Sequence, residues 1–253
     1  MGIAGPERLA QLLREARGAA VAFTGAGAST GSGLPDFRSP GGLWQQVDPI
    51  KAASIHALRA DPVGFHRFYR ERLRGLGGAR PNQVHRALAM LEKVGRLLGV
   101  ITQNVDGLHQ AAGSRRVVEL HGSLARAVCM HCRREAPIGV LDREATTEDE
   151  LPRCSICGGL MRPDVVLFGE AVPREPFTQA ESMARESALM LVIGSSLAVY
   201  PAAALPGLAV ASGSRLAILN REPTPLDGAA TLVINAEAGP VLANTVAALG
   251  LSL

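Results

Sequence analysis

The apolar run AAVAF at 19–23 delivers the chain directly into GAGASTGSGLPDFR at 25–38. A short strand that ends in Gly-x-Gly opens a nucleotide site, because glycine lets backbone N–H groups come close to a phosphate. The dinucleotide fingerprint asks for G-x-G-x-x-G with a helix beginning inside it. Here Gly25 and Gly27 fit, while Thr30 stands at the third position. Pro35 then pushes Leu34 toward extended geometry, so no continuous helix is expected through GLPDFR. The loop predicts a nucleotide site that departs from the one used for hydride transfer. A dehydrogenase is further disfavoured because no acid clearly follows at the end of a second strand.

The rest of the chain sets that loop in an α/β pattern. Strand-like runs recur at 96–102, 117–120, 189–194, 215–220 and 231–235, with helical periodicity at 7–17 and 84–93. Such alternation predicts a parallel sheet. Two segments interrupt it: 36–80, helical and carrying Trp44, Phe65, Phe68 and Tyr69, and 123–168, which contains every cysteine. These insertions are expected to form a second, smaller lobe. At 253 residues and 47% hydrophobic content, the chain can bury roughly 75% of its unfolded surface in one large or two modest domains. The first 18 residues lack the apolar centre of an export signal, and Pro6 stands where a myristoylation signal takes Ser or Thr. The apolar stretch 198–211 is short for a membrane span and holds two prolines. The prediction is a cytoplasmic protein with no membrane partner. The net charge of +3 is scattered along the chain, so RFYRERLR at 67–74 reads as a solvated helix face rather than a nucleic-acid surface.

Cys129, Cys132, Cys154 and Cys157 form two C-x-x-C pairs, the spacing of a zinc ribbon. The alternatives are disulfides, disfavoured in a reducing compartment, and a redox C-x-x-C, which needs no second copy. His131, inside CMHC, is expected to be an exposed knuckle residue, because four thiolates already complete a tetrahedral shell. In ITQNVDGLHQ at 101–110, a strand runs into Gln103, Asn104, Asp106 and His109, and in VVELHG another ends at His121. Polar residues at the carboxyl ends of parallel strands line the crevice where α/β sheets bind ligands. Three strand ends therefore converge on one site.

In their order, GAGASTGSGLPDFR, TQNVDGLH, LHG, the paired C-x-x-C motifs, RPDVVLFGE, GSSLAVYPAA and the LN at 219–220 resemble the sirtuins, NAD-dependent protein-lysine deacylases, from about residue 7 to 240. The resemblance implies a Rossmann-like parallel-sheet NAD domain made of 1–38, 81–122 and 169–253. It also implies a small domain made of a helical insertion, 39–80, and a zinc-binding module, 123–168, with structural Zn2+ on the four cysteines. NAD is then a co-substrate that is consumed, and the loop after the glycines is a cofactor loop rather than a rigid helix start. Gly25, Ala26 and Gly27 would meet the diphosphate, and Asp36, Phe37 and Arg38 would close over the ribose and nicotinamide. Gly194, Ser195, Ser196, Asn220, Arg221, Glu222 and backbone near Ala238 would hold the adenosine half, and Ser29, Trp44 and Val105 join the cofactor contacts. Gln103 would bond the ribose, Asn104 would take a catalytic part by orienting the ribose or a water, Asp106 would hold the nicotinamide carboxamide, and His121 would be the general base that lets a ribose hydroxyl attack the acyl-lysine adduct.

The acylated substrate peptide is expected as an added strand between 165–170, with Val166, Phe168, Gly169 and Glu170, and 197–200, with Val199. Tyr69 and Arg72, three apart on one helix face, resemble the branch that removes malonyl and succinyl groups. GLPDFR and GSSLAVYPAAALP resemble branches that remove acetyl, so deacetylation is the main expectation. Mono-ADP-ribosyl transfer would use the same site.

Overall fold

The computed structural model describes residues 5–37, 42–143 and 151–253. Nine strands lie among them: β1 (Ala20–Thr24), β2 (Gly99–Thr102), β3 (Val117–Glu119), β4 (Gly122–Cys129), β5 (Glu135–Pro137), β6 (Met161–Val165), β7 (Leu189–Ile193), β8 (Arg215–Leu219) and β9 (Leu232–Ile234). Six of them form a parallel sheet in the order β3-β2-β1-β7-β8-β9. The winding direction reverses between β1 and β7, and a crevice opens at such a reversal, beyond the carboxyl ends of the strands.

The apolar runs are continuous because both faces of this sheet are covered. Successive side chains on a strand point to opposite faces. Ala20, Ala22, Leu189, Leu191 and Ile193 join one core, packed by the helices Gly5–Glu15, Gln83–Lys93 and Ala238–Ala248. Val21, Phe23, Met190 and Val192 join a second, packed by Arg174–Glu186 and Ala204–Ala211. In the first helix Leu9, Leu12 and Leu13 stand at positions i, i+3 and i+4, the stripe that faces a core, and Ala16 just past its end continues it. Each fully buried leucine there contributes about 1.5–3 kcal/mol.

The smaller sheet is antiparallel, β5-β4-β6, with a register shift in β4 between Ser123 and Ala127. A third core joins the helix Pro62–Gly77 to this sheet through Leu58, Phe65, Tyr69, Leu124, Val165 and Leu167. His66, on the same helix, is buried with neither ring nitrogen hydrogen-bonded, and burial pulls its pKa down to about 4, so it sits there neutral. The two segments expected to be extended around the substrate prove irregular. β6 ends at Val165, because the next residues give their amides to other partners: Val166 N–H to the His121 carbonyl, Leu167 N–H to the Glu170 carboxylate, and Phe168 N–H to the Ala53 carbonyl. Residues 197–200 form bends rather than a strand, with Leu197 at φ +53°. Among the described residues no helix is long and apolar enough to cross a membrane.

Candidate active site

The glycine loop is held against the end of β7 by backbone contact. Gly25 N–H donates to the Ile193 carbonyl at 3.0 Å and Gly27 N–H to the Gly194 carbonyl at 2.9 Å. A Cβ on Gly27 would stand 2.8 Å from the Gly194 Cα, so the two strand ends meet only because both positions lack side chains. Gly194 also has a φ of +59°, which glycine adopts without penalty. The loop itself makes two short 3-10 turns, Ala26–Ala28 and Thr30–Ser32, and reaches Gly33 at φ +81° without continuing as an α-helix.

Behind the loop lies a directed hydrogen-bond network. Asn82 caps the helix Gln83–Lys93 and donates from Nδ2 to the Ala28 carbonyl, 2.9 Å. The His85 Nδ1 accepts from the Asn82 N–H, which leaves Nε2 to carry the proton toward the Ser29 hydroxyl at 3.4 Å. That hydroxyl accepts from Asn104 Nδ2 at 3.1 Å and donates to Asp106 Oδ2 at 2.7 Å. Asn104, only 8% exposed, also donates to the Gly25 carbonyl at 3.0 Å. Gln103 reaches from the end of β2 to the Ser195 hydroxyl, 2.8 Å. His109 packs edge-on to His85 and bonds to Thr24 through Nε2 at 2.9 Å. Burial holds His85 at about 4 and His109 at about 3, so both are neutral, hydrogen-bonding rings. His85 escaped the sequence reading, although Asn-x-x-His at a helix start signals a capping box.

His121 occupies the turn from β3 to β4, where the two sheets meet. Its Nδ1 lies 3.1 Å from the Gln103 carbonyl and donates to it, leaving the Nε2 lone pair free in the tautomer this requires. Burial lowers its pKa below the ordinary 6.5, and the Gln103 carbonyl counteracts part of that. Gly122 follows at φ +77°, and a Cβ there would come within 2.1 Å of the Asp164 carbonyl oxygen, so the turn accepts only glycine.

A cleft of about 1620 Å³ runs through these elements. One wall carries Gly25, Ala26, Gly27, Ser29, Gln103, Asn104, Val105 and Asp106; Gly194, Ser195, Ser196, Asn220, Arg221 and Glu222 extend it past β7 and β8. Tyr69 and Arg72 of the helix Pro62–Gly77, Val166, Phe168, Gly169 and Glu170 of the loop after β6, and Val199 of the segment after β7 also line the cleft. Asp36, Phe37 and Trp44 line the space between. The Phe37 and Trp44 rings stack at 5.1 Å, and Trp44 meets Phe168 edge-on at 5.9 Å. Arg38 lies outside the described residues. Ala238 is not brought into this wall: it begins the helix Ala238–Ala248 and packs against the first core of the large sheet.

Two charged features distinguish the second wall. Arg162, missed in the sequence, is 9% exposed at its side chain and donates to Glu170 Oε1 at 2.9 Å and to the Val165 carbonyl at 3.0 Å. Glu170 Oε2 accepts the Leu167 N–H at 3.0 Å, so this carboxylate is consumed in tying its own loop. Arg72 lies with its guanidinium 5.4 Å from the Phe37 ring centre and 5.8 Å from that of Phe68. Among the described residues no carboxylate pairs with it.

The four cysteine sulfurs lie within 4.8 Å of one another, with 3.5 Å from Cys129 to Cys157 and 3.8 Å from Cys132 to Cys154. Disulfide sulfurs stand about 2.05 Å apart, whereas thiolates 2.3 Å from one tetrahedral ion stand about 3.8 Å apart. The donor set fits a zinc ion. The Cys132 and His131 N–H groups lower the Cys129 pKa to about 6 and those of Ile156 and Cys157 lower that of Cys154, whereas at Cys157 the Gly159 N–H is outweighed by the neighbouring sulfurs, which push it up to about 12, the crowding that a shared cation would relieve. Gly159 leaves no room for a side chain between His131 and the sulfurs of Cys129 and Cys157, and His131 itself is exposed.

The chain as a whole is similar to known proteins. An NAD-dependent protein deacetylase of Caldivirga maquilingensis is 49% identical over 94% of this chain and 91% of its own. A solved Sir2 variant with deacetylated p53 peptide and 3'-O-acetyl ADP ribose superposes with a TM-score of 0.92 at 38% identity, covering 98% of this chain and all of that one. A Sir2 enzyme bound to a propionylated peptide gives 0.88 at 37% identity, over 98% of this chain and 100% of its own. The model of the Sir2 family matches residues 25–201, from the first glycine of the loop to the proline after Tyr200. The chain belongs to the Sir2 family.

Proposed function

We propose that this protein is an NAD-dependent protein-lysine deacylase, acting mainly on acetyl-lysine, that moves the acyl group to ADP-ribose and releases nicotinamide and free lysine. One observation carries the reading: His121, with Nδ1 spent on the Gln103 carbonyl and Nε2 open, stands in a cleft with a phosphate-suited glycine loop on one side and a peptide-suited loop on the other. A base at that junction serves a reaction between two ligands. The activity in the name of the Caldivirga relative and the acyl compounds in the solved Sir2 structures support it.

The roles follow from position. The glycine loop faces the diphosphate through the Ala26 N–H, which has no partner among the described residues while those of Gly25 and Gly27 are donated to carbonyls at the end of β7; Asn104 and Gln103 face the ribose, and Asp106 the carboxamide. Asp36, Phe37, Trp44 and Val105 enclose the nicotinamide end, and Ser195, Ser196 and Asn220 take the adenosine half. His121 accepts the ribose hydroxyl proton as that oxygen attacks. The peptide lies between 166–170 and 197–200, where Gly169 and Val199 keep amide N–H groups without partners among the described residues. The Arg162–Glu170 pair acts through the loop, presenting it in a fixed shape. Cys129, Cys132, Cys154 and Cys157 would hold Zn2+, which supplies a cross-link and takes no part in acyl transfer. The division into an NAD domain and a small domain of 39–80 and 123–168 is supported by the core that packs the helix Pro62–Gly77 onto the smaller sheet. The test is incubation with NAD and an acetyl-lysine peptide, with nicotinamide and deacetylated peptide read by mass spectrometry. Peptide left acetylated would overturn the reading.

A second reading, a preference for acidic acyl chains, is favoured by Arg72. Its guanidinium lines the cleft without a carboxylate partner among the described residues, beside a Tyr69 phenol whose pKa burial raises to about 12, so that it stays a donor. Charge-assisted hydrogen bonds from the two to a distal carboxylate would contribute about 1.5–3 kcal/mol each. If this reading holds, Arg72→Met loses succinyl cleavage about tenfold or more while acetyl cleavage changes little. Succinyl cleavage that survives the substitution removes the reading.

A further inference from the structure

The helix Arg174–Glu186 is the element of the cleft wall that neither the NAD roles nor the loop contacts use. Arg174, Phe177, Thr178 and Glu181 stand at i, i+3, i+4 and i+7, one face of the helix, and all four line the cleft. The buried face, Ala180, Met183 and Ala184, points the other way into the second core of the large sheet. Phe177, at the border, is partly buried against that same core and offers its remaining apolar edge to the cleft, with Glu181 one turn further along.

Glu181 differs from the other carboxylates lining the cleft. Asp106 and Glu170 are hydrogen-bonded, Asp36 has a partner of its own, and Glu71 and Glu222 are exposed. Glu181 is half-buried and, among the described residues, takes no hydrogen bond and no ion pair. A carboxylate partly withdrawn from water without a cation is unfavourable, and a cation that arrives with a ligand relieves it.

Resting on the deacylase reading, we infer that Glu181 is a specificity-determining residue that selects substrates with a basic side chain, Lys or Arg, flanking the acylated lysine. The occupant is the substrate chain itself. It is seated by Gly169 and Val199 backbone groups in the same cleft, its flank lying over Phe177 and its positive charge meeting Glu181. Backbone pairing alone reads no side chains, so this face supplies selection that an added strand lacks.

The test uses acetyl-lysine peptides identical except for Lys, Gln or Glu at one flanking position, scanned through each position in turn. The kcat/KM ratio of the Lys to the Glu peptide is measured within each variant, so any general loss of activity cancels. The wild type is expected to favour Lys by about threefold to tenfold at one position, less at high salt. Glu181→Gln should bring that ratio to about one, and Glu181→Arg should invert it. A ratio unchanged in both variants, or a wild-type ratio near one at every position, overturns the inference. Peptide binding by fluorescence anisotropy separates the two claims: a Glu181-dependent preference for Lys in binding supports the subsite even if no peptide is deacylated, and that second result contradicts the deacylase reading alone.

Discussion

The two walls of the cleft are organised differently. On the sheet side, Asn104, Ser29, Asp106, Gln103 and Ser195 are hydrogen-bonded to one another or to the glycine loop, with neutral histidines behind them. On the other side, one ion pair ties the 166–170 loop, and among the described residues neither Arg72 there nor Glu181, on the helix Arg174–Glu186, has a charged partner. The first wall is shaped in advance for a ligand that never varies. The second leaves its charges unmet, which suits it to discriminating among acyl chains and peptide flanks. The scaffolds differ likewise: the parallel sheet rests on two large apolar cores, whereas the smaller sheet has smaller ones and carries the four-cysteine cluster beside them.

The largest effect should come from removing the metal. Structural zinc supplies roughly 10–16 kcal/mol of apparent binding energy to such modules. Chelation or Cys154→Ser should therefore melt the smaller sheet and abolish activity while the parallel sheet stays folded. Two transitions by circular dichroism are expected, and full activity with no bound zinc would break the contrast.

Next comes His121→Ala, expected to lower turnover by about 10²–10⁴ while the affinity for NAD changes little. Its pH profile is part of the same prediction. The base works neutral, and burial lowers its pKa, so the acid limb of kcat/KM should lie below pH 6.5 in the wild type. A limb above that value would contradict the buried setting.

Stability should fall with acid for a related reason. His66, His85 and His109 have folded pKa values of about 4, 4 and 3, below the unfolded 6.5. The unfolded chain takes up protons first, so stability declines as pH drops from 6.5 toward 4 and is unaffected by these groups above 6.5. Thermal melts across that range check it, and a flat melting temperature would argue that these rings are not held neutral.

A smaller effect distinguishes a tie from a contact. Arg162→Met should raise the peptide KM about threefold to tenfold with little change in kcat or in the KM for NAD. Equal losses in all three would mean that the pair merely supports the fold.

Much of this was legible in the sequence. Strands buried on both faces leave unbroken apolar runs, so Ala20–Thr24 and Leu189–Ile193 stood out. The C-x-x-C spacing announced the thiolate cluster before any coordinates. The pairing of Arg162 with Glu170 was not announced, although Glu170 itself was singled out, because nothing in an eight-residue separation signals that a turn brings them together. Ala238 is the converse case: it begins a helix that packs on the first core and does not line the cleft, a placement that a small apolar residue at a helix start does not announce. His85 was half visible, since Asn82-x-x-His85 marks a cap but cannot reveal that the other ring nitrogen reaches Ser29.

The central claim, that the acyl group passes to ADP-ribose rather than to water, is tested most directly with a peptide whose lysine carries a deuterated acetyl group. Incubated with NAD and the wild-type protein, the label should appear as an acetyl ester of ADP-ribose, one for each nicotinamide released. Label recovered as free acetate while NAD stays intact would contradict the account.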